Sequence, residues 1–214
     1  MKNFSYVMLC FCTFLLLNSC KKDPDATPTT PTANTSYQPL TKGSTWKYKS
    51  SVAPGNGEYT ITATGNTKVI NGKTYQILTS TVAAGGESYA RVDGENVYEY
   101  GKQTSAGFSF ELENLSIKPA AAVGATWDDK APATNQGTTY DIIYRKTIKQ
   151  KGITRKVNNI DYKDVIAVER KTLVSFGGVE TETTTEMLYF AKGIGPIEQV
   201  SSLFNASLLS ATIK

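Results

Sequence analysis

The sequence predicts an all-β protein, mainly an antiparallel meander that forms a strongly curved sheet, either a half-barrel or a barrel. Three observations predict it. Apolar and polar residues alternate over several stretches, glycine-rich and asparagine-rich turns separate those stretches, and no capped amphipathic stretch indicates a long helix. Alternation with a period of two places successive side chains on opposite faces of a strand, so we expect these stretches to be half-buried strands.

The alternation is clearest in three stretches, 59–64, 108–113 and 140–145. In each of them aromatic or aliphatic residues take every second position, and Thr, Ser or charged residues take most of the positions between. The nearest candidates for helix are short, at 118–123 and 201–210. Strands therefore dominate the prediction, and hairpins are expected to connect them.

Turn residues separate the predicted strands at hairpin spacing. Asn71-Gly72 is the strongest signal, because a type I′ turn requires a positive φ at both central residues and this pair adopts it readily. The other predicted turns are Pro54-Gly55-Asn56-Gly57, Gly85-Gly86, Asp93-Gly94, Lys151-Gly152 and Gly177-Gly178.

A faint internal repeat divides the predicted sheet into two halves, about 37–117 and 118–214. The tetrapeptide Gly-Ser-Thr-Trp at 43–46 recurs as Gly-Ala-Thr-Trp at 124–127, and the two copies contain both tryptophans of the chain. We expect two sequential meanders that share one sheet or pack as two lobes. A chance likeness in a chain rich in Thr and Gly is the alternative.

The first 19 residues have the pattern of a secretory signal peptide. Lys2 supplies a positive charge, and residues 7–17 form an apolar run too short for the roughly 20 residues that a transmembrane helix needs. The run ends in Leu-Asn-Ser-Cys at 17–20, which resembles a bacterial lipobox. The resemblance implies that the mature chain begins at Cys20 and is held to a membrane by acyl chains on that cysteine. A cleaved signal peptide followed by an incidental cysteine is the alternative.

A disordered tether is predicted to follow, so that residues 20–36 comprise the lipidated cysteine and the tether. This segment contains three prolines and five threonines and no large apolar residue, so it cannot bury a core. The β domain is expected at 37–214. Cys10, Cys12 and Cys20 are the only cysteines of the sequence, so the mature chain can form no internal disulfide.

Sparse aromatic, proline and glycine positions carry a second resemblance. They lie at 37–48, at 124–127 and at 189–197. In this order they resemble uncharacterised bacterial exported lipoproteins, and the closing Tyr-x-x-x-Gly-x-Gly strand is similar to that of curved-sheet, lipoprotein-carrier-like proteins of the LolA/LolB type. The two resemblances imply an outer-membrane lipoprotein of the cell envelope, on either the periplasmic or the surface face. The carrier fold closes one mouth of its half-barrel with helices, which this sequence does not predict.

The composition excludes most catalytic chemistry. The chain has no histidine and the predicted domain has no thiol, which removes Ser-His and Cys-His pairs, histidine bases and the usual zinc ligand sets. The adjacent acids at 128–129 point to opposite faces of a strand. Glu111 and Glu113 lie on the face opposite Phe108 and Phe110. We interpret both pairs as solvated charges rather than a glycosidase pair, and we expect neither an enzyme nor a cofactor or metal site.

The charge balance is too mild to indicate a nucleic-acid partner, since 23 Lys and Arg stand against 19 Asp and Glu. One run, 145–156, contains six basic residues and no acid. We interpret it as an exposed face, with Glu180, Glu182 and Glu186 across from it in the sheet. A contact with anionic lipid headgroups or a polysaccharide is the alternative.

The aromatic residues are the remaining candidates for a site. We predict that they line the concave side of the sheet and bind an apolar or extended ligand, in a non-catalytic, membrane-anchored lipoprotein. An envelope lipid, a glycan and an envelope protein remain open as partners. The alternative is a structural or protein–protein interaction module, whose aromatics only fill a core. A cavity lined by these rings would favour binding. The predicted ligand-binding residues are Trp46, Tyr48, Tyr75, Trp127, Tyr140 and Tyr144.

Overall fold

The structure, a computed structural model, describes residues 35–52, 55–82, 87–105 and 107–214. The predicted signal peptide, the lipidated Cys20 and nearly all of the tether lie outside the described residues. So do the Gly85-Gly86 turn and the first residue of the turn at 54–57. Residues 55–57 lie in a strand, so the turn predicted at 54–57 is wrong over these three residues, and the other predictions named here stay predictions.

The described residues form twelve antiparallel strands that close into a barrel. Each strand pairs with the next one along the chain, and β1 pairs with β12. The all-β prediction is confirmed, with a closed barrel as the form that the curved sheet takes. The strands are β1 Thr45–Val52, β2 Gly55–Ile70, β3 Lys73–Ser80, β4 Glu87–Asp93, β5 Asn96–Ser105, β6 Phe108–Ile117, β7 Thr126–Asn135, β8 Thr138–Val157, β9 Ile160–Phe176, β10 Val179–Ala191, β11 Gly195–Ser201 and β12 Asn205–Thr212.

The turn prediction at Asn71-Gly72 is confirmed, with φ angles of 50° and 75° between β2 and β3. The prediction at Lys151-Gly152 is wrong, because these residues lie inside β8. Gly152 has a φ of 65°, and the pairing register of β8 shifts at this point. A glycine with positive φ serves a bulge as well as a turn. The hairpin turn falls instead at Asn158-Asn159, where φ is 48° and 66°.

The described residues contain no helix, and in particular none that is long and apolar enough to cross a membrane. The helix candidate at 118–123 forms turns between β6 and β7. The candidate at 201–210 is also wrong, since it contains the end of β11 and most of β12. Pairing with β1 and β11 on its two edges decides the conformation of this segment, which its own sequence leaves open.

The barrel closes at the seam between β1 and β12. Thr45 lies opposite Thr212 at one end of the seam, and Ser51 lies opposite Asn205 at the other. β1 also pairs with β2 along its other edge. Closure therefore leaves none of the described strands with a free edge, which is the feature that makes open sheets prone to aggregate.

Two clusters of buried apolar residues fill parts of the interior, one around Trp46 and one around Trp127. Each indole N–H donates a hydrogen bond to a distant backbone carbonyl: Trp46 to Ile194 at 2.6 Å and Trp127 to Leu115 at 2.8 Å. Both rings are thus buried with their polar atom satisfied. Six of the described strands fall in each of the two predicted halves, and the two halves share one sheet.

The hairpin of β8 and β9 is longer than its neighbours, and its tip contacts β11 and β12. Three register shifts follow Ile148 along β8, and they bend the hairpin. Near its tip Arg155 forms an ion pair with Glu198 of β11 at 2.6 Å. At the turn the Asn158 amide donates to the Ser207 hydroxyl of β12 at 3.1 Å. The tip thereby ties the middle of the chain to the last two strands.

Candidate ligand-binding cavity

The interior of the barrel contains a two-lobed cavity, which we call the chamber. The larger lobe has a volume of about 390 Å³ and the smaller lobe about 200 Å³. Strands from all sides of the barrel contribute lining residues, and the larger lobe falls in the range of roughly 300–1,000 Å³ that is typical of small-molecule sites. The residues shared by both lobes are Tyr48, Ile61, Glu99, Arg170 and Pro196.

Aromatic side chains form the apolar part of the chamber wall. Tyr48 of β1 and Tyr59 of β2 stack with their ring centroids 5.3 Å apart. Phe110 of β6 meets Tyr144 of β8 edge to face, at 6.3 Å between centroids. The Tyr48 hydroxyl donates to the Pro196 carbonyl at 2.8 Å, which fixes the ring. Burial, reinforced by neighbouring Tyr59, raises the pKa of Tyr48 well above its ordinary value.

Arg170 of β9 supplies a cation to the wall of both lobes. Its Nε lies 2.6 Å from the Glu186 carboxylate, and its guanidinium lies 5.1 Å from the centroid of the Tyr144 ring. Gln199 donates a further hydrogen bond to Glu186. Burial acts to lower the pKa of Arg170, but the Glu186 carboxylate outweighs it and raises that pKa. Arg170 is therefore a fixed charge that already has its counter-ion.

A second buried ion pair, between Lys146 and Asp129, lies next to the Tyr144 ring. The Lys146 ammonium, which has no exposed surface, lies 2.5 Å from the Asp129 carboxylate. The same carboxylate oxygen accepts the backbone N–H of Leu115 at 2.9 Å. Burial lowers the pKa of Lys146, and Asp129 opposes that effect. Lys146 is thus an exception to the exposed face expected for 145–156. Successive side chains of a strand point to opposite faces, and the side chain of Lys146 points inward.

The outer part of the basic run does face acids, as the sequence predicts. Arg145 forms ion pairs with Asp128 at 2.8 Å and with Glu180 at 3.1 Å, all on partly exposed side chains. Glu182 pairs instead with Lys171 of the neighbouring strand, at 2.8 Å. Glu186 lies opposite Arg170 of β9 and pairs with it, so of the three predicted acids only Glu180 pairs with the run.

Three of the six predicted ligand-binding residues line the chamber: Trp46, Tyr48 and Tyr144. Trp127 lies in the second core cluster, and the half-buried Tyr140 lines neither lobe. Tyr75 is only 1% exposed, but its hydroxyl donates to Glu113, in a cluster away from the chamber.

The same cluster accounts for the burial of Tyr75 and supplies the charge partners of Glu113, the second glutamate of β6. Glu113 accepts from Arg91 at 2.9 Å and pairs with Lys73. Glu111 pairs with Lys102 at 3.1 Å. Glu111 is exposed, as the interpretation as a solvated charge predicts, whereas Glu113 is half-buried and accepts hydrogen bonds from Tyr75 and Arg91.

The sequence patterns miss the polar residues of the chamber: Glu99, Asn114 and Arg170. Tyr59 and Phe110 lie in the alternating stretches, so the same patterns mark them as inward-facing. A charged residue in a strand normally indicates the solvent face. Only the pairing register shows that Arg170 lies across from Lys146 on one side and Glu186 on the other, which no local pattern reveals.

The chamber offers stacking surfaces, one paired guanidinium, the carboxylates of Glu99 and Glu198, and the amides of Gln38, Asn114 and Gln199. Among the described residues, no group of three or more His, Cys, Asp or Glu side chains is placed to hold a metal ion. Most of the lining is apolar or aromatic, with a few polar groups at fixed positions. This is the arrangement of a binding site that orients a ligand.

No protein-family model matches the chain, and no curated protein is similar to it. A solved structure with a similar fold is the 2.70 Å crystal structure of a protein described as a putative lipoprotein from Parabacteroides distasonis ATCC 8503. The TM-score is 0.50 and the sequences are 11% identical, over 83% of this chain and 99% of that chain. At this identity the likeness shows a shared fold. The finer resemblance to carriers of the LolA/LolB type stays a prediction.

Proposed function

We propose that the protein is a non-catalytic lipoprotein of the cell envelope, anchored to the outer membrane, and that its barrel binds an apolar or extended ligand in the chamber. The chamber is the observation that carries the proposal. Protein interiors are normally packed with few voids larger than a water molecule. A lobe of about 390 Å³ far exceeds the share of roughly 30 Å³ that one water takes in the liquid. Aromatics that served only as core would close this space.

The anchor is supported by the lipobox resemblance at Cys20 and by the Thr- and Pro-rich segment behind it. The fold likeness to a protein described as a putative lipoprotein is compatible with the same assignment. Several acyl chains together hold a protein firmly to a bilayer, since each buried methylene contributes about 0.8 kcal/mol. The non-catalytic part rests on the missing histidines and on the lack of a thiol in the domain.

The anchor is tested by Cys20→Ala. We expect the variant to lose its acyl chains and to leave the membrane fraction, because the thiol is the acylated group. The readout is fractionation of the wild type and the variant, combined with the intact mass of each. A variant that stays with the membranes after a salt wash would contradict the lipobox assignment.

The binding function is tested by native mass spectrometry of the full chain purified from its own envelope. Gly101 lines the larger lobe, has an ordinary φ, and has open space where a Cβ would stand. Gly101→Leu should therefore fill the lobe and lower the fraction of protein that carries a bound molecule. Gly57→Leu is the matched control, since Gly57 is an exposed strand glycine with equally open space that lines neither lobe.

Three outcomes would decide against the proposal. A wild-type barrel that is always empty removes the ligand-binding function. A partner protein that co-purifies at fixed stoichiometry with an empty barrel selects the interaction module instead. Turnover of a glycan or an ester in a substrate panel, abolished by Gly101→Leu, would show that the protein is an enzyme.

A further inference from the structure

We infer that the ligand of the chamber carries a positively charged nitrogen that donates hydrogen bonds to Glu99, where the two lobes meet. The ligand class is an amphipathic amine, with an apolar body in the lobes and an ammonium group at this carboxylate. The inference rests on the proposed function and specifies the chemistry of the molecule that the chamber binds.

The charges of the chamber wall carry the first step. The charged residues that line the two lobes are Glu99, Arg170 and Glu198. Arg170 is paired with Glu186 at 2.6 Å, and Glu198 is paired with Arg155 at 2.6 Å. Glu99 forms no ion pair with any residue that the structure describes, and it is exposed. It interacts electrostatically with Arg170 and Lys146, but each of these cations has a carboxylate of its own. The wall therefore carries one negative charge without an ion-pair partner.

Asn114 is an independent second observation. It lines the larger lobe, is only 6% exposed, and donates from its amide nitrogen to Glu99 at 3.2 Å and to Ser116 at 3.0 Å. Its amide oxygen has no hydrogen-bond partner among the described side chains and backbone groups. Turning the amide over would place this oxygen against the Glu99 carboxylate, so the free atom must be the acceptor. Buried acceptors are normally paired, but this oxygen has no donor, and the Asn114 amide is the one donor that Glu99 receives from the described residues.

Among the residues that the structure describes, Asn114 is the one that donates a hydrogen bond to Glu99. The Tyr48 hydroxyl, which lines both lobes, already donates to the Pro196 carbonyl. Arg170 directs its Nε to Glu186, and Lys146 lies against Asp129. Further donors for Glu99 can therefore come from water or from the ligand.

The aromatic wall favours a cation at the same place. The stacked pair of Tyr48 and Tyr59 lines the smaller lobe, and Tyr144 lines the larger one. The faces of such rings attract ammonium groups within about 6 Å, most strongly where water is excluded. Tyr144 already receives Arg170 in this way, at 5.1 Å. The ring pair beside Glu99 can receive the ligand in the same manner.

An anionic ligand is disfavoured by the same groups. A carboxylate in the chamber would face Glu99 as a like charge, and it would find Arg170 engaged with Glu186. The two buried cations near the chamber, Arg170 and Lys146, do repel an incoming ammonium. Each of them has a carboxylate of its own at 2.6 Å or less, so the charge that remains without an ion-pair partner is that of Glu99.

The test uses three probes with the same apolar body: 4-phenylbutylamine, 4-phenylbutanol and 4-phenylbutanoate. Their affinities for the full-length protein are measured by calorimetry, with Trp46 fluorescence as a second signal because this ring lines the larger lobe. We expect the amine to bind at least about tenfold more tightly than the carboxylate. Glu99→Gln should remove that preference and leave the alcohol unchanged. Glu58→Gln is the control, since Glu58 is exposed and paired with Lys47.

The inference is overturned by equal binding of the three probes, by a preference for the carboxylate, or by a preference for the amine that persists in Glu99→Gln. If Glu99→Gln does not fold, the wild-type order of affinities alone decides. Failure of all three probes also overturns it. Native mass spectrometry distinguishes this failure from a failure of the proposed function. A barrel that carries a bound molecule without a basic nitrogen refutes only the amine. A barrel that is empty and binds no probe refutes both.

Discussion

Tyr48 shows how one residue connects the seam with the chamber. It lies in β1 opposite Leu208 of β12, its ring stacks on Tyr59, and its hydroxyl reaches the Pro196 carbonyl. Its burial raises its pKa above the ordinary value of 10.0 because the phenolate would lack solvation there. The neutral hydroxyl is therefore part of the folded state, and the phenolate is not.

The raised pKa of Tyr48 predicts a loss of stability in alkali. A group whose pKa is higher in the folded state stabilises the fold fully below its unfolded pKa, and that stabilisation falls as the pH rises above about 10. Tyr48→Phe should cost about 1 kcal/mol near neutral pH through the lost hydrogen bond. It should also make the alkaline decline shallower. Urea denaturation from pH 7 to pH 11.5 measures both effects, and parallel curves for the two proteins would refute the prediction.

The hairpin of β7 and β8 carries two ion pairs in opposite environments. Lys146 and Asp129 meet on the inside, where the lysine has no exposed surface. Lys130 and Asp141 meet on the outside at 2.8 Å, with both side chains accessible to solvent. The same two strands thus provide a buried pair and an exposed control.

Breaking the inner pair should be far more costly than breaking the outer one. Asp129→Asn leaves the Lys146 ammonium buried without a counter-ion, which should reduce the free energy of unfolding by about 3–5 kcal/mol. Asp141→Asn should change it little, because exposed pairs are screened by water and salt.

The deficit of Asp129→Asn should also shrink as the pH rises. Burial lowers the pKa of Lys146, and without Asp129 nothing in the pair opposes that shift. Between the lowered pKa of Lys146 in the folded variant and its ordinary value of 10.5, the unfolded chain keeps the Lys146 proton and the folded chain loses it. Raising the pH through this range therefore favours the folded state. Chemical denaturation of the two variants at several pH values tests both predictions. Equal losses of unfolding free energy in the two variants at one pH would contradict the difference between the pairs. A deficit of Asp129→Asn that does not change with pH would contradict the pH dependence.

At the scale of the whole molecule, the closed barrel depends on its last strand. Ending the chain after Ser201 removes β12 and leaves both β1 and β11 with an unpaired edge. It also removes Leu208, which is fully buried in the cluster around Trp46. We expect the truncated protein to aggregate and to lose its cooperative unfolding transition.

Size-exclusion chromatography and thermal denaturation of the soluble Cys20→Ala form measure this outcome. The matched control removes only residues 213–214, which lie beyond β12, so it loses the Lys214–Ser44 hydrogen bond but keeps every strand pair of the seam. The control should remain monomeric and should unfold cooperatively. A truncated chain that does the same would show that the seam contributes little to the fold.

The parts of the fold that sequence predicts well are those that neighbouring residues decide. Alternation over 59–64 and 108–113 depends on the pleat of one strand, and the Asn71-Gly72 turn depends on two φ angles. The parts that it misses depend on distant partners. The segment 201–210 has short helical character of its own, and pairing with β1 makes it a strand. Gly152 satisfies a bulge rather than a turn because β9 continues alongside it.

The same distinction applies to the site. Trp46, Tyr48 and Tyr144 are predictable as chamber residues because large rings at alternating positions favour the inner face of a sheet. Trp127 and Tyr75 satisfy the same criterion, yet the first fills a core cluster and the second is buried against the charged side chains of Glu113 and Arg91. Glu99 and Arg170 are charged, so periodicity assigns them to solvent. Their place inside follows only from the register of strands far apart in the chain.

The seam between β1 and β12 also determines the order in which parts of the barrel form during folding. The contacts that complete it join residues 154 to 170 positions apart, such as Ser51 with Asn205 and Lys214 with Ser44. Loops of that length close late and slowly, whereas each hairpin forms from neighbouring residues. A chain threaded N-terminus first through a translocation channel would remain an open sheet until β12 emerged. During that interval the future chamber is a groove, and a ligand can be enclosed by folding rather than admitted through a finished wall.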